Sequence, residues 1–132
     1  MKYSIHEVAT KFGLTAHTLR YYDKEGLLPF IGREPSGTRI FTEKDLEWLT
    51  MICCLKDTGM PIKEIKQYAD WCAKGMETLE ERKAMLADHR LQVLQQMEAL
   101  QKNLDLIDSK IAVYNDPVLT EQRYGNIGET KS

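Results

Sequence analysis

From Val93 onward the apolar residues Met97, Leu100, Leu104, Ile107, Ile111 and Tyr114 recur at intervals of four and three. That spacing is the a/d seam of a coiled coil and predicts one long helix over residues 76–115, with Leu86 on the same stripe. Residues 79–114 alone would span about 54 Å at 1.5 Å per residue. The 75 residues ahead of the helix form too small a body to cover such a seam, so the stripe requires a partner. The economical partner is a second copy of the chain. His89 and Arg90 interrupt the stripe between Leu86 and Val93. Asn115, Asp116 and Pro117 end the helix, and residues 116–132 read as a flexible polar tail.

The segment before the helix has its own punctuation. Ser4 and Glu7 stand at capping-box spacing, and Ile5, Val8, Ala9 and Phe12 then fall on one helical face. Gly13 comes next, where a left-handed residue ends a helix; Leu14 fills the corner, and Thr15 caps a second helix from Ala16 to about Lys24. Leu19 and Tyr22 face inward there, leaving His17, Thr18, Arg20 and Tyr21 near the surface. Two helices around a tight turn within residues 4–24 make a helix-turn-helix, although the same outline occurs in bundles that bind no nucleic acid. Residues 29–41 then supply two short extended runs around Pro35-Ser36-Gly37, a hairpin suited to be a wing. Arg33 and Arg39 flank its turn, where they can meet a phosphate backbone. A third helix starts at Thr42, carries Leu46, Leu49, Ile52, Cys53 and Leu55, and stops near Gly59. A fourth begins at Pro61 with Lys63 and Lys66 near its start, a second place for a phosphate.

Bulk charge does not decide the partner. The chain carries a formal −2; residues up to Gly75 hold 11 Lys and Arg against 10 Asp and Glu, and the remainder 7 against 10. Nucleic-acid binding must therefore come from placement of a few cations on one face. No signal peptide and no run of about 20 apolar residues is present, so a cytoplasmic location and no membrane association are expected. Cys53, Cys54 and Cys72 make no disulfide framework and read as free thiols. No nucleophile and base stand at catalytic spacing and no glycine-rich phosphate loop is present, so an enzyme is not expected and no cofactor is implied. A coiled-coil adaptor whose N-terminal helices bind protein instead of DNA remains open on these grounds.

The motifs resemble those of the MerR family of transcription regulators. The likeness rests on Ile5-His6-Glu7-Val8-Ala9, on Thr18-Leu19-Arg20-Tyr21-Tyr22-Asp23 with Gly26-Leu27-Leu28 after it, on Gly37-Thr38-Arg39, and on Gly59-Met60-Pro61-Ile62-Lys63-Glu64-Ile65. It implies a mainly α fold: a winged helix-turn-helix domain over residues 1–75, then a dimerisation helix over 76–115 forming an antiparallel coiled coil. It implies contacts to double-stranded promoter DNA from His17, Thr18, Arg20, Tyr21, Arg33, Thr38, Arg39 and Lys63. It further implies a homodimer on an inverted repeat, distorting the promoter so that RNA polymerase can use it. The family often has Arg where this chain has His17 and Tyr where it has Thr38.

What such a regulator would sense is a narrower question, since the residues after the helix are too few for a ligand domain. No Cys lies beyond Cys72 and no Cys or His beyond His89, so the thiolate sets of metal-sensing relatives have no counterpart and no metal site is expected. Cys54 instead resembles the single cysteine of the AdhR/NmlR-like branch, which responds to aldehyde and thiol stress. The resemblance makes Cys54 the candidate sensor of reactive electrophiles. Cys53 and Cys54 also suit the small, buried side chains of an ordinary core.

Overall fold

The helix ends are set by local chemistry. In the computed structural model, which describes residues 1–125, Ser4 caps α1 (Ile5–Phe12): its hydroxyl accepts from Glu7 N–H at 3.2 Å, and the Glu7 carboxylate accepts from Ser4 N–H at 3.1 Å. Gly13 closes α1 with φ 65°, a left-handed conformation open to glycine at no steric cost. Thr15 then caps α2 (Ala16–Lys24), accepting from Thr18 N–H at 3.0 Å. The hairpin pairs β1 (Gly32–Arg33) antiparallel with β2 (Arg39–Ile40), Gly32 opposite Ile40 and Arg33 opposite Arg39. Just past β2, Phe41 exchanges backbone hydrogen bonds with Tyr3 at 2.8 and 3.0 Å, so the N-terminal segment becomes a further strand-like partner. Thr42 and Asp45 form the capping box of α3 (Glu43–Asp57), and α4 (Ile62–Lys74) starts after Pro61. A 3-10 turn, Gly75–Thr78, leads into α5 (Leu79–Tyr114), and α6 (Pro117–Tyr124) comes last.

The core of residues 1–89 takes one side chain or more from each early helix. Val8 of α1, Leu19 of α2, Leu27, Phe41, Leu49 and Ile52 of α3 and Ile65 of α4 are fully shielded from solvent. Met85 and Leu86, from the first turns of α5, pack against that cluster. The compact unit therefore runs to His89, past the boundary expected at residue 75. His89 is buried and shares a 2.7 Å hydrogen bond with the hydroxyl of Thr58, at the end of α3. The polar break in the stripe is thus a satisfied buried histidine, placed where α5 still belongs to the N-terminal unit.

Beyond His89 the chain forms a second unit. On α5 the stripe residues from Met97 to Tyr114 stand exposed, from 49% at Leu104 to 68% at Leu100. The expectation of a flexible tail from residue 116 is corrected over residues 117–124, which are helical. Asp116 accepts from the N–H groups of Val118 and Leu119, both at 3.1 Å, and Pro117 takes the first helical position where its missing N–H costs nothing. The same Asp-Pro pair that stops one helix starts the next. α6 lies beside the end of α5: Thr120 donates to the Val113 carbonyl at 2.6 Å, and the Lys110 ammonium bonds the Tyr124 hydroxyl, lowering its pKa. Residues 126–132 of the expected tail lie outside the described residues. Among the described residues no helix is long and apolar enough to cross a membrane.

Phe41 is the largest fully shielded side chain and joins the hairpin to the helical core. Phe41→Ala is expected to lower the unfolding free energy by about 3–5 kcal/mol, read from a urea melt. A loss under about 1 kcal/mol would show that the hairpin is not anchored through this ring.

Candidate nucleic-acid interface

Because Leu19 and Tyr22 are drawn into the core, the opposite face of α2 is turned outward by helical periodicity. His17, Arg20 and Tyr21 are exposed there, and among the described residues Arg20 has no hydrogen-bond or ion-pair partner. Thr18 is half-buried, and its hydroxyl lies 2.9 Å from that of Thr15. Thr18 thus serves the turn first, and its hydroxyl reaches any outside group only with its remaining capacity.

The wing is fastened to the end of this same helix. One oxygen of Asp23 accepts from Arg33 Nη2 at 2.9 Å and from Arg39 Nε at 2.6 Å. The other terminal nitrogen of Arg33 donates to the Gly37 carbonyl at 3.1 Å, so Arg33 also braces the hairpin turn. Within that turn Glu34 N–H donates to the Thr38 carbonyl and Gly37 N–H to the Glu34 carbonyl, both at 2.8 Å. Arg33 and Arg39 are therefore partly neutralised, while Arg33 keeps half of its side chain in solvent. Thr38 is exposed and its hydroxyl accepts from Ser36.

The start of α4 is held near the end of α2 by a close approach. A Cβ at Gly26 would lie 3.2 Å from Cε of Lys66, and φ at Gly26 is +83°, so both space and backbone favour glycine there. Lys66 is paired with Asp70 at 3.1 Å; Lys63, exposed in the first turn, has no such partner among the described residues. The structure thus joins α2 to both wing arginines. Lys63 stands on a separate element.

The cysteines occupy three different settings. Cys54 is exposed on α3, whereas its neighbour Cys53 is half-buried, and burial, then the charge of Asp57, pushes the Cys53 thiol up. Cys72 is half-buried with a guanidinium nitrogen of Arg82 at 3.9 Å from its sulfur. The last turn of α3 runs from Cys54 to Thr58, whose hydroxyl donates to the Cys54 carbonyl at 2.7 Å and also meets His89.

Two family descriptions match this sequence: the MerR HTH family of regulatory proteins over residues 3–70, and the MerR DNA-binding region over residues 46–110. The chain belongs to the MerR family. As a MerR-family protein it is a DNA-binding transcription regulator and not an enzyme, which removes the adaptor alternative. An uncharacterized HTH-type transcriptional regulator of Haemophilus influenzae is 46% identical over 114 residues, spanning 86% of this chain and 84% of that one. The transcriptional regulator AdhR of Bacillus subtilis is 40% identical over 92 residues, spanning 70% of this chain and 66% of AdhR. The crystal structure of HiNmlR, described as a MerR family regulator lacking the sensor domain and bound to promoter DNA, superposes with a TM-score of 0.82. It is 42% identical and covers 95% of this chain and 96% of its own. These likenesses place this MerR-family chain beside AdhR and HiNmlR.

The Asp23 carboxylate is the feature of this face that motif reading misses. Its signal lies in the sequence as the one acid of α2, one residue past the inward Tyr22, with two arginines in the two-stranded wing after it. Asp23→Asn is expected to loosen the wing, raising amide hydrogen exchange over residues 32–40 roughly fivefold, for ion pairs worth together about 1 kcal/mol. Unchanged exchange in that segment would remove the clamp.

Proposed function

We propose that this MerR-family regulator acts in the cytoplasm as a homodimer on an inverted repeat within a promoter. His17, Thr18, Arg20 and Tyr21 of α2 face the groove; Arg33, Thr38 and Arg39 of the wing and Lys63 of α4 meet the backbone. The observation that carries this reading is the exposed face of α2, with Arg20 at its centre lacking a partner among the described residues and a wing salt-bridged to its last turn. Arginine is the residue that most often reads guanine in the major groove, and wing contacts hold the helix in register. That HiNmlR is a crystal structure on promoter DNA supports the same use of the matching surface here.

The seam on α5 supports the homodimer. Met97, Leu100, Leu104, Ile107 and Ile111 are at least half exposed or nearly so in the single chain, and covering what remains of each would gain about 1–2 kcal/mol. An antiparallel pairing of two such seams sets two α2 helices for the two half-sites. By the logic of the family, the bound dimer distorts the promoter for RNA polymerase.

The reactive position in this reading is Cys54. Its thiolate adds to the carbonyl carbon of an aldehyde, the oxygen takes a proton from water, and a hemithioacetal results. The exposure of Cys54, against the raised thiol of Cys53, supports this choice, as does the likeness to AdhR. The adduct sits one turn before Thr58, which is bonded to His89 of α5, so a disturbance of α3 there bears on the link between DNA-binding helices and dimer helix.

A footprint of the purified protein on DNA flanking its own gene tests the regulator reading. Protection of an inverted repeat is expected, with Arg20→Ala weakening operator binding roughly 10- to 100-fold. Wild-type affinity in Arg20→Ala would remove the recognition-helix assignment. Cys54→Ser is expected to keep the footprint and to lose its change on treatment with formaldehyde or methylglyoxal. An unaltered response in Cys54→Ser would sink the sensor role.

A further inference from the structure

Beside the wing lies a groove of about 910 Å³ whose lining shares Arg33 alone with the proposed DNA contacts. Its volume falls in the range of small-molecule sites. One wall is aromatic. The Phe30 ring meets Trp48 edge-on with centroids 5.3 Å apart, and Trp48 stacks on Tyr68 at 5.9 Å with the rings 4° from parallel. The indole N–H of Trp48 is spent on the Leu27 carbonyl at 2.8 Å, so the wall offers π surface and the Met51 thioether in place of hydrogen-bond donors. Phe30 is 49% exposed, a large apolar ring left uncovered for no reason internal to the fold.

The polar lining has a sign. Lys2 and Lys44 border the groove, and among the described residues neither has an ion-pair or hydrogen-bond partner. Arg33 is held by Asp23, and the Asp45 carboxylate is occupied by the backbone N–H and hydroxyl of Thr42. Donors that are themselves neutral leave the Asp45 charge in place, so the lining sets Lys2, Lys44 and Arg33 against Asp45 and Glu47, one net positive charge, with two lysines and one acid lacking a partner among the described residues. A flat apolar slot with an excess of free cations at its edge fits one kind of occupant: an aromatic ring system carrying a carboxylate. The ring stacks along Phe30, Trp48 and Tyr68, and the carboxylate takes a charge-assisted hydrogen bond from Lys44 or Lys2.

We propose that this groove is a binding site for planar aromatic carboxylates. Gly32, Arg33 and Ile40 of the wing form part of its lining, so an occupant touches the hairpin directly. Occupancy shifts the wing and with it the affinity for operator DNA. This second step rests on the proposed DNA contacts of the wing; binding itself does not.

The test is a ¹H–¹⁵N NMR titration of the full chain with 2-naphthoate, in the absence of DNA. The Trp48 indole N–H is expected to shift saturably while that of Trp71 stays in place. Lys44→Glu and Phe30→Ala, both at exposed positions, are expected to weaken binding at least roughly tenfold with the other cross-peaks unmoved. The neutral 2-naphthamide is expected to bind more weakly, and inorganic phosphate to leave Trp48 unshifted. A stationary Trp48 signal, or one that moves equally with phosphate or the amide, would overturn the site. So would unchanged affinity in Lys44→Glu. Operator titrations with and without 2-naphthoate then read the wing: altered affinity supports the coupling, and unaltered affinity at saturating naphthoate overturns it while the site stands.

Discussion

The ion triad of Asp23, Arg33 and Arg39 is the interaction on which the proposed DNA-facing surface depends. A hairpin of two-residue strands has almost no fold of its own, since isolated two-stranded ribbons are marginal in water. Here it is held at both ends: by one carboxylate oxygen at the tip of α2 and by the Phe41 ring in the core. Asp23 and Arg39 keep about a fifth of their side-chain surface in solvent, so this pair is less screened than an ordinary surface bridge. The arrangement fixes the distance between α2 and the wing inside one chain, before any partner is met. In the proposed contact set the wing arginines carry a charge already partly answered, and Arg20 and Lys63 are the cations without a partner among the described residues.

Much of this architecture is legible in the sequence because its signals are local. The capping box at Ser4, the helix start at Thr42, the left-handed Gly13, the Thr15 cap and the inward pair Leu19 and Tyr22 all come from spacing alone. Spacing supplies nothing that joins distant positions. The clamp between residue 23 and residues 33 and 39, the pairing of Tyr3 with Phe41, and the hydrogen bond between Thr58 and His89 each depend on tertiary placement. α6 escapes sequence reading for a different reason. An Asp-Pro pair signals a stop, yet proline at the first helical position with aspartate before it is equally a start. The outward face of α2 is legible to within one residue, Thr18 being more committed to its turn than the pattern suggests.

α5 plays two parts along one continuous helix. Its first turns lend Met85 and Leu86 to the core and its His89 to the end of α3, while its later turns expose an apolar seam. The switch from covered to uncovered side chains occurs at the polar residues His89 and Arg90, which is where the stripe pattern breaks.

The backbone pairing of Tyr3 with Phe41 has a practical side. It fixes the first residues of the chain beside the hairpin, with the Tyr3 hydroxyl bonded to Glu43, and brings Lys2 to the lip of the aromatic groove. An affinity tag fused ahead of Met1 would therefore emerge next to the wing, where its charge and bulk compete with whatever the wing and groove receive.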